Sequence, residues 1–164
     1  MMRSIEVISL SFRNLQLRNI SDGMHCLSAL ETLIINDCED LDAWDISVWE
    51  GLKSLRMLEV AEMPYLQVLP QGITSLTTLQ DLYISDLVNL TVLPENIGGL
   101  SQLRYLSISD CPKLTAVPQS LRGLTSLQTL HIDSYPELEK RCQQPDGSYW
   151  PLIRHIPTVG FSWQ

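Results

Sequence analysis

From residue 30 to residue 138 the chain repeats one arrangement of apolar and polar positions five times: LETLIINDCEDL, LRMLEVAEMPYL, LQDLYISDLVNL, LRYLSISDCPKL and LQTLHIDSYPEL. The leading leucines, Leu30, Leu55, Leu79, Leu103 and Leu127, are 25, 24, 24 and 24 residues apart, and a weaker copy, VISLSFRNL, begins at Val7. A fixed period in this range marks a solenoid. One unit cannot bury its own apolar edge, but stacked units can.

The internal offsets predict the shape of one turn. With the leading Leu counted as position 1, positions 4 and 6 are apolar in every full copy, from Leu33 and Ile35 to Leu130 and Ile132. Positions 3, 5 and 7 alternate with them. This predicts short strands near 30–36, 55–61, 79–85, 103–109 and 127–133, each with one buried face. Position 12 is always Leu (Leu41, Leu66, Leu90, Leu114, Leu138), and position 15 is Trp44, Leu69, Leu93 or Val117. Pro70, Pro94 and Pro118 follow three of these, which predicts an irregular or short-helical return. Ile73, Ile97 and Leu121 then close the turn. The expected fold is an α/β solenoid, right-handed, of about six turns of roughly 24 residues, with a parallel concave sheet. Residues 1–26 read as degenerate first repeat(s), 27–140 as the repeats and 141–164 as a capping segment. In that segment Trp150, Pro151, Ile153 and Ile156 are expected to close the last turn. At the other end, Val7, Leu10 and Phe12 would present an open core edge, so the chain is expected to be marginal alone or to associate there.

The pattern resembles the leucine-rich repeat horseshoe. The usual family carries Asn at position 9, where Cys38, Met63, Leu87, Cys111 and Tyr135 stand here, with Pro64, Pro112 and Pro136 following three of them. SDCPKLTAVP and VLPENIGGLSQL look like the variant found in plant disease resistance proteins of the nucleotide-binding leucine-rich-repeat (NB-LRR, coiled-coil) type. The tail, PELEKRCQQPDGSYWPLIRHIPTV, resembles the end of many members of that family, and the likeness covers nearly the whole chain. It implies a cytoplasmic protein-recognition module of plant defence and innate immunity. Such a module senses a pathogen effector or a guarded host protein and holds an upstream nucleotide-binding domain inactive. The chain departs from the family in having no Gly-x-x-x-x-Gly-Lys-Ser/Thr loop and no coiled-coil heptads; Gly98-Gly99 reads as a turn. Nucleotide binding is therefore not carried over, and no cofactor is expected. The chain reads as a sensing arm without its motor, from a truncated gene, a partial gene model or a stand-alone protein. The alternative is a free-standing intracellular scaffold or adaptor, similar to Ras-pathway adaptor repeats. An extracellular receptor domain would need a signal peptide and cysteine caps.

Composition narrows the partners. The net charge of −8 disfavours nucleic acid, and no basic stripe runs along the strands. No apolar run approaches the roughly 18 residues of a membrane helix, and MMRSIEVISLSF lacks a secretory apolar region. Cys38 and Cys111 fall at one position three turns apart, about 14 Å by strand spacing and beyond disulfide reach, so they read as core thiols in a reducing compartment. The sequons at Asn19 and Asn89 read as chance.

The outward positions carry the binding chemistry. Tyr83 and Tyr105 are the best protein-binding anchors, because aromatics bring large area at low entropic cost. Arg56 and Arg104 flank them, and Glu59, Asp81, His131 and Asp133 share the face. Position 8 reads Asp37, Glu62, Asp86, Asp110 and Ser134, four acids stacked about 5 Å apart, where neighbours repel by about 1 kcal/mol in water. Two readings are open. Each carboxylate accepts backbone N–H groups in the bend, or the column is an acidic stripe for a basic partner. An enzyme reading is poor. Ser107 and Ser109 near His131 and Asp133 suggest a triad, but an open strand face supplies no oxyanion pocket. His25-Cys26 has no second pair at metal-binding spacing. His155 reads as structural in the cap, and Trp44 and Trp49 as core under a bulged return loop, with a surface Trp49 the lesser reading.

Overall fold

The computed structural model describes residues 9–19, 22–133, 136–143 and 145–161. Val7, Ser134, Tyr135 and most of the first sequon, which the sequence reading used, lie outside the described residues.

Among the described residues seven parallel strands form one open sheet in chain order: β1 (Ser9–Arg13), β2 (Thr32–Asn36), β3 (Met57–Ala61), β4 (Asp81–Ser85), β5 (Tyr105–Ser109), β6 (Thr129–Asp133) and β7 (Thr158–Phe161). The fold is the α/β solenoid that the repeat implies. Register runs unbroken across it. Leu10, Leu33, Leu58, Leu82, Leu106, Leu130 and Val159 align in one row, and Phe12, Ile35, Val60, Ile84, Ile108, Ile132 and Phe161 in another. From β2 to β6 these rows are buried. β2 to β6 each begin two residues after the leading Leu, and the backbone shows why. The carbonyl at position 2 accepts two N–H groups from the next turn: Arg56 O takes Gln80 N at 2.8 Å and Asp81 N at 2.9 Å, and Gln80 O takes Arg104 N and Tyr105 N at 2.7 and 3.0 Å. That shared acceptor starts each ladder at the same residue.

The returns differ with turn length. Three 24-residue turns come back through 3-10 helices at Gln71–Ser75, Ile97–Gly99 and Gln119–Gly123. The 25-residue turn instead forms α1 (Ile46–Gly51), started by Asp45, whose carboxylate accepts from Ser47 N (2.9 Å), Val48 N (3.3 Å) and Ser47 Oγ (2.6 Å). The extra residue is room enough for α rather than 3-10 winding. Both tryptophans of this turn are buried, so the surface reading of Trp49 fails. Their rings lie 5.4 Å apart, Phe12 meets Trp44 edge-on at 6.3 Å, and Trp44 Nε1 donates to Leu17 O at 3.0 Å. Gly72 is required beside them, since a Cβ there would overlap Trp49 Cδ1.

The C-terminal segment contains more structure than the sequence reading gave it. α2 (Pro136–Cys142) and α3 (Trp150–Ile153) lead into β7, which adds a strand to the sheet. Ile153 and Ile156 are buried and Trp150 packs partly buried against the core, but Pro151 is exposed and serves only the start of α3. His155 Nε2 lies 3.3 Å from Leu124 O, tying the segment to the previous turn.

Candidate functional site

Because the strands are parallel and in register, positions 3, 5 and 7 of each turn stand on the outward face in three rows. One row is Met57, Asp81, Tyr105 and Thr129, the next Glu59, Tyr83, Ser107 and His131, the third Ala61, Ser85, Ser109 and Asp133. Tyr83 and Tyr105 occupy different rows, yet the diagonal between β4 and β5 brings them together: ring centroids are 5.2 Å apart with planes at 35°. Glu59 is directly across from Tyr83, and Asp81 directly across from Tyr105. The Tyr83 phenol is pushed above its ordinary range, by burial first and then by Asp81, Tyr105 and Glu59. Both carboxylates are therefore close enough for their charge to reach that phenol. Around this cluster Ala61, Ser85, Ser107 and Ser109 are short, so the two rings rise above the C-terminal half of the face. Ile34 and Met57, at positions 5 and 3 of their turns, continue the apolar area on the same face.

Arg56 and Arg104 lie off the face, in the exposed stretch just before β3 and β5. Arg56 Nε is 3.8 Å from Glu31 Oε1, an exposed pair worth little in stability. His131 and Asp133 share β6, with Ser107 and Ser109 as their partners on β5. Gly160 of β7 supports this end: a Cβ there would lie 3.2 Å from His131 Nδ1, so glycine leaves space for the imidazole.

Position 8 has a cause that neither sequence reading named. Asn14, Asp37, Glu62, Asp86 and Asp110 all adopt left-handed backbone, with φ between 50° and 53°. Their N–H groups extend the ladder, Asp86 N to Ser109 O at 3.2 Å and Asp110 N to Asp133 O at 2.9 Å. No hydrogen bond to the carboxylates of Asp37, Asp86 or Asp110 is found among the described residues, so side-chain acceptance of bend N–H groups is not what they do. Asp and Asn are the non-glycine residues that tolerate this conformation best. The acids are exposed, and among the described residues Glu62 alone of them meets a cation, Arg13 at 3.9 Å. The usual position-9 Asn of the family satisfies backbone groups in the bend with its amide, and here other groups do so. Cys38 and Cys111 donate Sγ–H to the carbonyls of Asn36 and Ser109 at 3.2 Å. Asn89, at position 11, donates to Pro64 O at 2.6 Å and accepts from Lys113 Nζ at 2.5 Å, bridging three turns. The second sequon thus holds a structural amide.

A cleft of about 570 Å³ lies away from the sheet face, on the flank where the second and third turns leave their strands, beside Glu39, Leu41, Met63 and Tyr65. No described helix is long and apolar enough to cross a membrane.

Comparison with known proteins gives one family. A model described as leucine-rich repeat region matches residues 1–144. No curated protein matches the sequence. Among solved structures, the leucine-rich repeat domain of the type III effector XopL is 18% identical, with a TM-score of 0.53 over 84% of this chain and 55% of that one. A leucine-rich repeat protein of Leptospira interrogans is 20% identical, TM-score 0.44, over 94% of this chain and 48% of that one. An internalin C2 from Listeria monocytogenes is 19% identical, TM-score 0.42, over 94% of this chain and 80% of that one. The chain spans about half the length of the first two.

Proposed function

The chain belongs to the leucine-rich repeat family, and on that premise we propose that it is a protein-recognition module that binds its partner on the outward face of the sheet. The observation that carries this is the Tyr83–Tyr105 pair, two half-buried rings held together at the centre of a rigid, otherwise low face. Hot spots of protein interfaces are enriched in such aromatics, because little freedom is lost when they are covered. We further propose the setting that the tail and repeat motifs suggest, a cytoplasmic plant immune receptor in which the repeats sense a pathogen effector or guarded host protein and restrain a nucleotide-binding domain. Buried thiols at Cys38, Cys111 and Cys142 suit a reducing compartment.

Two experiments test the two levels. Affinity capture with the wild-type chain, Tyr83→Ala/Tyr105→Ala and Val68→Asp, an exposed residue lining the flank cleft, separates the surfaces. Loss of the wild-type partner only in the tyrosine variant supports the face; loss only in the flank variant overturns it. Mapping the transcript and reading the adjoining genomic DNA in frame tests the setting. An in-frame nucleotide-binding domain supports the receptor, and its absence leaves a stand-alone scaffold.

A further inference from the structure

Glu59 and Asp81 flank the tyrosine pair on the β3–β4 part of the face, and no ion pair to either is found among the described residues. Two arginines of this side are turned to other acids, Arg56 to Glu31 at 3.8 Å and Arg13 to Glu62 at 3.9 Å, and Arg104 stands in the exposed stretch before β5. A partner that covered the rings with an aliphatic side chain would strip water from these carboxylates without replacing it, at a cost that works against binding. A partner carboxylate would be repelled. The group that answers both rings and carboxylates is a cation. We propose that Glu59, Asp81, Tyr83 and Tyr105 together receive the guanidinium of an arginine presented by the bound protein, a specificity that rests on the recognition role proposed above.

Arginine fits better than lysine. Its plane stacks on an aromatic face while its fork of N–H donors reaches a carboxylate, and it is more weakly hydrated than an ammonium. The rings are already in contact at 5.2 Å, so the guanidinium lies over them and not between them. The chain makes a contact of this kind internally, with Arg141 Cζ 5.9 Å from the centroid of Tyr149. Asp86 and Asp110, exposed at the ends of the two strands that carry the rings, add a negative field that steers a cationic segment toward them.

The test is a titration of the intact chain, labelled on its tyrosine rings, with N-acetyl-arginine amide and with its lysine and citrulline counterparts, followed by NMR. The Tyr83 and Tyr105 ring signals are expected to move saturably with arginine, to respond about threefold more weakly to lysine, and to ignore uncharged citrulline. The Tyr149 ring, already covered by Arg141 at 5.9 Å, is the internal reference and stays unmoved. Glu59→Gln/Asp81→Asn keeps the rings and is expected to weaken arginine binding by about tenfold. Equal response to citrulline, equal movement of Tyr149, or unchanged binding by the Gln/Asn variant overturns the proposal. If the rings stay silent while Tyr83→Ala/Tyr105→Ala still loses its captured partner, the arginine assignment falls and the recognition role stands.

Discussion

Position 8 shows how much one backbone angle can decide. At Asp86, φ is 53°, a region that costs an ordinary residue about 1–2 kcal/mol and a β-branched one more. Asp86→Asn is therefore expected to unfold at the same urea concentration as wild type, while Asp86→Val should lose about 1–2 kcal/mol. Equal losses from both would mean that the carboxylate, not the backbone, is what matters. Gly72 makes the complementary case. Its φ is unremarkable, but the Trp49 ring occupies the space where a Cβ would stand. Gly72→Ala should cost about 1–3 kcal/mol and shift the tryptophan emission, because an overpacked core moves rings before it unfolds.

At the scale of elements, α1 should respond to acid through its cap. Hydrogen bonds from Ser47, then from the Val48 N–H, hold the Asp45 carboxyl below the ordinary carboxylate range. A depressed folded pKa stabilises above the unfolded value, about 3.9, and that stabilisation is lost as pH falls through the folded one. Urea melts of wild type and Asp45→Asn should therefore converge as pH falls below the unfolded value toward the folded one; a gap that did not narrow at all would assign the effect elsewhere. The strands themselves were legible, because leucine and isoleucine two residues apart, recurring at a fixed period, leave one geometry open to them. What escaped had weaker signals. β7 is four residues, TVGF, with a glycine inside and no copy of the repeat around it. α1 reads as a bulge because one added residue does not say which way the return will wind. The Tyr83–Tyr105 contact was hidden for a different reason. The residues hold different positions in their turns, and only the diagonal of a parallel sheet makes them neighbours. The left-handed bend was hidden because aspartate is common in bends for two causes, and spacing does not separate them.

For the molecule as a whole, stability is a chain of neighbour contacts. Leu106 is fully buried in β5, between Leu82 and Leu130. Leu106→Ala should cost about 2–5 kcal/mol of a total in the range of about 5–15. In hydrogen exchange the loss should be largest in β4, β5 and β6 and fade toward β2. Uniform loss would mean that the solenoid unfolds as one unit.

The unbroken register also bears on how such a chain can change in length. Turns that meet their neighbours through the same rows of leucine and isoleucine are interchangeable parts. Excising residues 79–102 by unequal recombination would rejoin the third turn to the fifth with equivalent surfaces in contact. The turn from 30 to 54 is not exchangeable in that way. It holds the first turn through Trp44 and Leu17 and the third through Trp49 and Gly72, and it is one residue out of phase. Lineages carrying this architecture should gain and lose whole turns on the C-terminal side of the tryptophans, and keep the tryptophan turn itself in place.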